Sequence, residues 1–150
     1  MTRIEAEHRF DVALRDGYDY ITDLGRWPEY WPGLVRVEPG SQWREPGDQA
    51  RIVIRLLRHE VPLEMTLRRV EPYRLVEYTS VQADVPPVRH ERHFAEAGDG
   101  FHYRLVVEYE PRRGVRAPYE RVLLRWAIAR ALRRTIANLE RALGRRQLVP

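Results

Sequence analysis

Two histidines in the stretch "HERH", residues 90 to 93, are of the residue type that binds divalent metals. In zinc sites of the HExxH type the two histidines lie about four residues apart on one face of a helix. Here they lie three apart, in a segment whose apolar and charged residues alternate as in a strand. On a strand His90 and His93 point to opposite faces, so they cannot bind one ion. The sequence therefore predicts no metal site and indicates no cofactor.

The strand that contains His90 also predicts an inward-facing arginine. His90 and Arg92 share one strand face with Val88 and Phe94. Because this face is apolar at both ends, we expect it to point into the protein. His90 then either lies in the core with its ring nitrogens satisfied or contacts a ligand.

Arg69 is a second candidate for an interior cation. It continues a strand face that is otherwise apolar, formed by Leu63, Met65 and Leu67. The alternation places Arg69 inward near the strand end, from where its side chain could also extend to solvent. A one-residue bulge would exchange it with Arg68. Tyr78 and Tyr103 would supply hydroxyl groups to the same interior, although Tyr103 also fits a core position.

Covalent catalysis has little support in the sequence. The chain has no cysteine, and neither of its two serines, Ser41 and Ser80, lies in a strand–turn–helix elbow. No glycine-rich phosphate-binding loop is present. The carboxylates on the predicted strands mostly alternate with apolar residues, so we expect them to face solvent.

Three aromatic residues cluster in the stretch "WPEYWPG". Trp27, Tyr30 and Trp31 are three and four residues apart, so one short helical turn aims them in the same direction. The flanking prolines and the closing glycine favour a short helix with defined ends. The three rings either fill a core or contact a ligand, and their spacing leaves both interpretations open.

The segments around these residues predict one sheet and three helices. Alternation in "TRIEAEHRFDV" predicts a first strand, and helical spacing follows in "ALRDGYDYITDLGRW". From residue 35 onward the period is two, and the short turns favour an antiparallel meander. A long helical pattern covers roughly residues 117 to 144 and is expected to end at Gly144.

Composition indicates one soluble globular domain. The chain has 150 residues, of which 43% are hydrophobic and 32% are charged, so it can bury a core. No apolar run approaches the roughly 18 residues of a membrane span, and the first residues do not resemble a signal peptide. We therefore expect a cytoplasmic protein that does not insert into membranes.

The positive charge is carried by arginine alone and is concentrated near the C-terminal end. All 26 basic residues are arginine and the formal net charge is +4, a pattern that a GC-rich genome also produces. Residues 112 to 146 contain 11 arginines and 2 glutamates, spread around the predicted helix with few aromatic residues among them. This distribution favours a solvated face, or an anionic carrier or membrane surface, over nucleic acid. Arg121 and Arg125 fall on the apolar side of the helix, where a guanidinium needs water, an anion or a pocket.

The order of the segments resembles the helix-grip fold of the START-like, polyketide cyclase/dehydrase and lipid-transport superfamily. The stretch "ITDLGRWPEYWPGLVRVEPG" is similar to the early helices of that superfamily, and "MTLRRVEPYRLVEY" is similar to its fourth and fifth strands. Its final helix is similar to "RAPYERVLLRW…IANLERAL". One departure is the start of the first helix, which reads "ALRDGYDYI" where many members have an "APxExVW" pattern.

The resemblance implies an α+β fold for a single domain, residues 1 to 150. In this fold a curved antiparallel sheet of about six to seven strands wraps around a long C-terminal helix, with two short helices after the first strand. It also implies an internal cavity for a small hydrophobic or aromatic, polyketide- or lipid-like ligand. We expect the ligand-binding residues to be Trp27, Tyr30, Trp31, Ile54, Met65, Tyr78, His90, Arg92, Tyr103 and Arg125.

Two alternatives to a simple binding protein remain open. In the aromatase/cyclase branch an interior arginine polarises the bound chain, and the resemblance gives that catalytic role to Arg69, with Arg125 as a substitute. A tyrosine or His90 would then move protons. In the other alternative the arginine-rich C-terminal helix docks a regulatory partner. The sequence leaves the oligomeric state open, a dimer included.

Overall fold

The computed structural model describes residues 1–56, 58–83, 85–110 and 117–147. In chain order its elements are strand β1 (Thr2–Phe10), helix α1 (Leu14–Thr22), a 3₁₀ turn (Leu24–Arg26), helix α2 (Trp27–Tyr30), strands β2 (Leu34–Val37), β3 (Gln49–Leu56), β4 (His59–Glu71), β5 (Leu75–Gln82), β6 (Val85–Ala97) and β7 (Gly100–Tyr109), and helix α3 (Ala117–Gln147).

The seven strands form one antiparallel sheet in the order β1-β7-β6-β5-β4-β3-β2. Strands β2 to β7 form a meander, in which each strand lies beside its neighbours in sequence, and β1 pairs with β7. The curved sheet, the short helices after β1 and the long C-terminal helix make up the helix-grip α+β fold. The fold expected from the segment order is therefore confirmed.

Period-two alternation in the sequence produces the core of the sheet. On β7, one face carries only large apolar or aromatic side chains, all of them buried: Phe101, Tyr103, Leu105, Val107 and Tyr109. We call this side, together with the matching residues of the other strands, the inner face. It is covered by α1, by α2 and by the second half of α3, whose Leu132, Leu139 and Leu143 belong to the same core.

Helix α1 approaches β7 closely because of a glycine. A Cβ atom at Gly17 would overlap the ring of Phe101, which is fully buried. The absence of a side chain therefore lets the helix backbone pack directly on an aromatic ring. This contact holds α1 and the chain that follows it over the inner face.

The prediction that Arg69 points inward is wrong, because β4 contains a bulge. Leu67 pairs with Tyr78, but Arg69 pairs with Glu77, so one extra residue, Arg68, interrupts the alternation. Both arginines lie on the exposed side. The side chain of Arg69 is 59% exposed and forms an ion pair with Glu71 at 2.7 Å.

Helix α3 differs from its prediction at the C-terminal end. The helix continues through Gly144 to Gln147, so the expectation that Gly144 ends it is wrong. Gly144 has no positive φ, and the residues after it are arginines and a glutamine, which favour helix over a turn.

None of the helices in the described part of the chain combines the length and apolarity that a membrane span requires.

Candidate functional site

A buried arginine lies at the centre of the inner face. Arg92, on β6, is 5% exposed, and its neighbours along that face are His90 and Phe94. No carboxylate of the described residues forms an ion pair with it, whereas several outward-facing arginines of the sheet pair with glutamates. Because a guanidinium stays charged in proteins, Arg92 is a buried cation without a counter-ion in the described structure.

Two tyrosines and a tryptophan contact the Arg92 guanidinium. Its two terminal nitrogens donate to the hydroxyl groups of Tyr30 and Tyr78, each at 3.2 Å. Its carbon Cζ lies 5.2 Å from the ring centre of Trp31 and 5.4 Å from that of Tyr78, which are cation–π distances. Hydroxyl oxygens and aromatic faces partly replace the water that Arg92 loses on burial.

Two polar atoms at this place are buried without a hydrogen-bond partner in the described structure. They are Nε of Arg92 and the hydroxyl oxygen of Tyr103. Buried donors and acceptors are normally satisfied in folded proteins, and those that are not mark places where a further polar group would be favourable. The two atoms therefore offer two donors to an incoming oxygen.

Hydrogen bonds to α1 and α3 fix the position of Tyr30. The Tyr30 hydroxyl donates to the carbonyl oxygen of Ile21 at 2.6 Å, and the indole nitrogen of Trp27 donates to the same oxygen at 3.1 Å. The Asn138 side chain, on α3, donates to the Tyr30 carbonyl oxygen at 2.9 Å. The end of α1, α2 and the second half of α3 therefore fix the tyrosine that contacts Arg92.

His90 lies beside the cation in a form that remains neutral. Its ring stacks on Tyr78 with centres 4.5 Å apart, and its Nε2 lies 2.9 Å from the hydroxyl of Ser80. Burial, with a further contribution from the charge of Arg92, lowers the pKa of His90 to about 3. At neutral pH the imidazole is therefore an uncharged hydrogen-bond partner.

The hydroxyls of Tyr30 and Tyr103 are also uncharged at neutral pH. Burial raises the pKa of Tyr30 to about 12, against the opposing effect of Arg92. Burial likewise raises the pKa of Tyr103, with Arg92 again acting in the opposite direction. We call the group formed by Arg92, Tyr30, Tyr78, Tyr103, His90 and Ser80 the Arg92 cluster.

Partly exposed apolar side chains pack against the hydrophobic core of the inner face. These side chains are half-buried and not fully buried: Trp31, Leu34, Ile54, Leu63 and Val88, with Ile128 from α3. Helix α3 packs mainly against β1 and α2. An apolar molecule lying on these side chains would complete their burial.

The structure brings together six of the expected ligand-binding residues, Tyr30, Trp31, Tyr78, His90, Arg92 and Tyr103. Trp27 and Met65 are at most 1% exposed and belong to the core, while Ile54 is half-buried against the same core. Arg69 lies on the exposed side of the sheet. Arg125 is exposed on the first half of α3 rather than in the interior, and the side chain of Arg121 lies outside the described residues.

Two polar members of the site were missed by the sequence reasoning. Ser80 follows Tyr78 by two residues on β5, so the alternation that places Tyr78 inward also places Ser80 there. Asn138 lies at the edge of the apolar face of α3, and its contact with α2 depends on tertiary packing that spacing does not reveal.

A separate surface pocket lies at the end of β7 and is not part of this site. It has a volume of about 330 Å³ and is lined by Met1, Pro86, Pro87, Arg89, Glu108, Tyr109 and Glu110. Arg89 and Glu108 lie on the outer face of the sheet, where they interact with each other at 4.0 Å. We place the candidate site at Arg92, because its unsatisfied buried polar atoms leave hydrogen-bonding capacity for a further polar group.

Fold and site together define a helix-grip protein with a buried cation among aromatic residues. The sequence profile of the family described as "Polyketide cyclase / dehydrase and lipid transport" matches residues 1–144. The chain therefore belongs to this family. No functionally curated protein matches the sequence.

Solved structures share the fold at low sequence identity. TTHA0849 from Thermus thermophilus has a TM-score of 0.78 and 18% identity, over 93% of this chain and 95% of that one. A START superfamily protein from Mycobacterium smegmatis has a TM-score of 0.78 and 11% identity, over 95% and 97% of the two chains. DynU16, a putative protein in the dynemicin biosynthetic locus, has a TM-score of 0.69 and 11% identity, over 95% of this chain and 47% of that one. At these identities the similarity establishes the fold alone.

Proposed function

We propose that the protein binds a small apolar or aromatic molecule whose carboxylate, enolate or polarised carbonyl oxygen contacts Arg92. The observation that carries this proposal is a cation 5% exposed, without a counter-ion among the described residues. Burying such a charge is costly unless it is paired, and a ligand oxygen would pair it. The family's description as polyketide cyclases and lipid-transport proteins agrees with an apolar ligand.

The unsatisfied polar atoms specify the polar end of the ligand. Nε of Arg92 and the hydroxyl of Tyr103 would both donate to one oxygen, while Tyr30 and Tyr78 keep the terminal nitrogens in place. Hydrogen bonds to charged groups contribute about 1.5–3 kcal/mol each. The half-buried apolar side chains would bind the rest of the molecule at roughly 25 cal/mol per Å² of buried surface, before the cost of association.

Cyclase-type catalysis is a second candidate, supported by the same cation. Arg92, in place of Arg69, would polarise a carbonyl and stabilise a developing enolate. Proton transfer works best with groups whose pKa lies near the working pH. His90, with a pKa of about 3, and Tyr30, with a pKa of about 12, both lie far from neutrality. These values favour binding without chemistry by the cluster itself.

Native mass spectrometry of the purified protein, followed by solvent extraction, tests for a bound ligand. An extracted apolar molecule with an acidic or carbonyl oxygen supports the proposal. An extracted molecule with no oxygen acceptor contradicts the role of Arg92. If the protein is recovered free of ligand, binding of fluorescent probes tests whether Arg92 contacts an anion.

Two fluorescent probes of matched shape test the role of the charge directly. We expect 8-anilinonaphthalene-1-sulfonate, which is anionic, to bind more tightly than the neutral N-phenyl-1-naphthylamine. Arg92→Met should weaken sulfonate binding by about 10- to 100-fold, equivalent to one charged hydrogen bond, and leave the neutral probe unchanged. Arg51→Met, at a side chain 70% exposed on β3, is the control and should change neither affinity. Equal affinities of wild type and Arg92→Met for the sulfonate would exclude Arg92 as an anion anchor.

A further inference from the structure

The first half of α3 exposes an unusual concentration of apolar surface. Eight large apolar side chains of the described residues are exposed, and four of them lie within five residues: Val122 (69%), Leu123 (48%), Leu124 (43%) and Trp126 (56%). Scattered exposed apolar residues are ordinary, but a contiguous group indicates an interaction surface.

Arginines share the outward side of the same helix. At about 100° per residue, Leu123, Trp126, Arg130 and Arg134 project within roughly 80° of one another, opposite the buried Leu132 and Leu139. Arg133 lies at the edge of this group. The guanidinium of Arg130 lies 5.3 Å from the ring centre of Trp126. We call the surface formed by these five residues the outer face of α3.

The charge on the outer face of α3 is not neutralised within the described structure. No described carboxylate forms an ion pair with Arg130, Arg133 or Arg134, and Glu140 of the same helix contacts His8. An exposed tryptophan and leucine between unpaired arginines is the arrangement of helices that lie in a membrane interface.

We propose that the outer face of α3 docks on the surface of an anionic lipid bilayer, with Trp126 and Leu123 at the headgroup level and without spanning it. The bilayer surface complements both the charge and the apolar side chains of the helix. Anionic headgroups pair with the arginines, and the membrane interface accommodates the leucine and the tryptophan. Nucleic acid would pair the arginines but would leave the leucine without a comparable apolar partner. A second copy of the same face would bring arginine against arginine. The proposal is independent of the ligand at Arg92.

Vesicle sedimentation tests the proposal with purified full-length protein. We expect binding to vesicles of equal parts phosphatidylglycerol and phosphatidylcholine, and none to phosphatidylcholine alone. Each arginine near such a surface contributes about fivefold in affinity, so the triple variant Arg130→Gln, Arg133→Gln, Arg134→Gln should bind on the order of 100-fold more weakly. Trp126→Ser should also weaken binding, and salt should weaken binding of the wild type.

The controls test whether vesicle binding depends on the outer face of α3 or only on the overall positive charge of the protein. The triple variant Arg51→Gln, Arg55→Gln, Arg36→Gln removes three exposed arginines from β2 and β3 and should bind like the wild type. Thermal melts check that all variants remain folded. Equal loss in both triple variants, wild-type binding by Trp126→Ser, or binding to duplex DNA but not to anionic vesicles would each overturn the proposal.

Discussion

At Arg92, stability and the proposed ligand binding make opposite demands. Its guanidinium is buried with hydroxyl and aromatic partners but no carboxylate among the described residues. Replacing buried charged groups with apolar residues of similar volume is often neutral or stabilising. We therefore expect Arg92→Met to raise the free energy of unfolding of the ligand-free protein by about 1 kcal/mol, measured by urea denaturation.

The outcome distinguishes a ligand anchor from a structural residue. A loss of more than about 2 kcal/mol in Arg92→Met, the usual effect of breaking a buried network, would show that the cation stabilises the fold. Arg92→Lys provides the matched comparison, because it keeps the charge but loses the planar fork that reaches Tyr30 and Tyr78 together.

His90 should make the stability of the protein depend on pH. Burial and Arg92 lower its pKa in the folded state to about 3, whereas a histidine in the unfolded chain has a pKa of about 6.5. Between these values the unfolded chain binds the additional proton, so the free energy of unfolding falls as pH is lowered from 6.5 toward 3. One proton gives a slope of at most about 1.4 kcal/mol per pH unit.

Urea denaturation at several pH values checks this expectation against His90→Gln. The variant should lose less stability than the wild type between pH 6.5 and about pH 4. His102→Gln, at a partly exposed histidine on the outward side of β7, is the matched control for the loss of an imidazole ring. Parallel profiles for the wild type and His90→Gln would mean that His90 is not held neutral by the fold.

Alternation along single strands predicted the inward direction of Tyr78, His90, Arg92 and Tyr103, because a strand side chain keeps its direction when the pleat is regular. The same rule failed at Arg69, where the pairing shifts by one residue. The tyrosine hydroxyls that contact Arg92 are set by the register between strands and by the position of α2. Periodicity within a single strand predicts neither of these.

At the scale of elements, the contact of α1 with β7 depends on Gly17. An alanine there would place its Cβ inside the Phe101 ring, and such overpacking costs about 1–3 kcal/mol. We therefore expect Gly17→Ala to lower the free energy of unfolding by that amount, although alanine is otherwise the better helix former. Thermal and urea denaturation measure the change.

Gly144 offers the matched control in another helix. Nothing lies within 4 Å of a Cβ built at this position. Gly144→Ala should therefore stabilise the protein by about 0.5–1 kcal/mol, the ordinary gain from replacing a helical glycine. The same substitution thus has opposite signs at the two positions, and a gain in stability from Gly17→Ala would refute the proposed close packing of α1.

Element boundaries were predictable only where local signals agree with packing. The first strand and the long last helix lie where periodicity places them, since both have many residues of consistent pattern. Gly144 misled the prediction because a glycine near a helix end favours termination only when it adopts a left-handed conformation, and here it does not.

At the scale of the whole molecule, the two halves of α3 are anchored unequally. The second half contributes Leu139, which is fully buried, and its Asn138 bonds to the backbone of α2. The first half has exposed side chains from Val122 to Ala127. One helix therefore serves both the core that positions Tyr30 and the surface that we propose to meet lipid.

A pair of leucine substitutions on α3 compares these halves. Leu139→Ala removes a fully buried side chain and should lower the free energy of unfolding by about 2–5 kcal/mol. Leu123→Ala changes a side chain that is 48% exposed and should stay within about 0.5 kcal/mol of the wild type. Similar losses in both variants would mean that the first half of the helix packs as tightly as the second.

Hydrogen–deuterium exchange tests whether the first half of α3 opens separately from the core. Because residues 122–127 have few buried contacts, their amides should exchange by local opening, at least tenfold faster than those of residues 139–143. The second half cannot open without exposing Leu139 and Leu143, so its amides should exchange only with the core strands. Anionic vesicles should slow exchange in residues 122–127 and leave residues 139–143 unchanged, because docking stabilises only the half that it contacts. Uniform exchange along the helix would show that α3 opens as one unit, which would remove the structural basis for treating its first half as a separate docking surface.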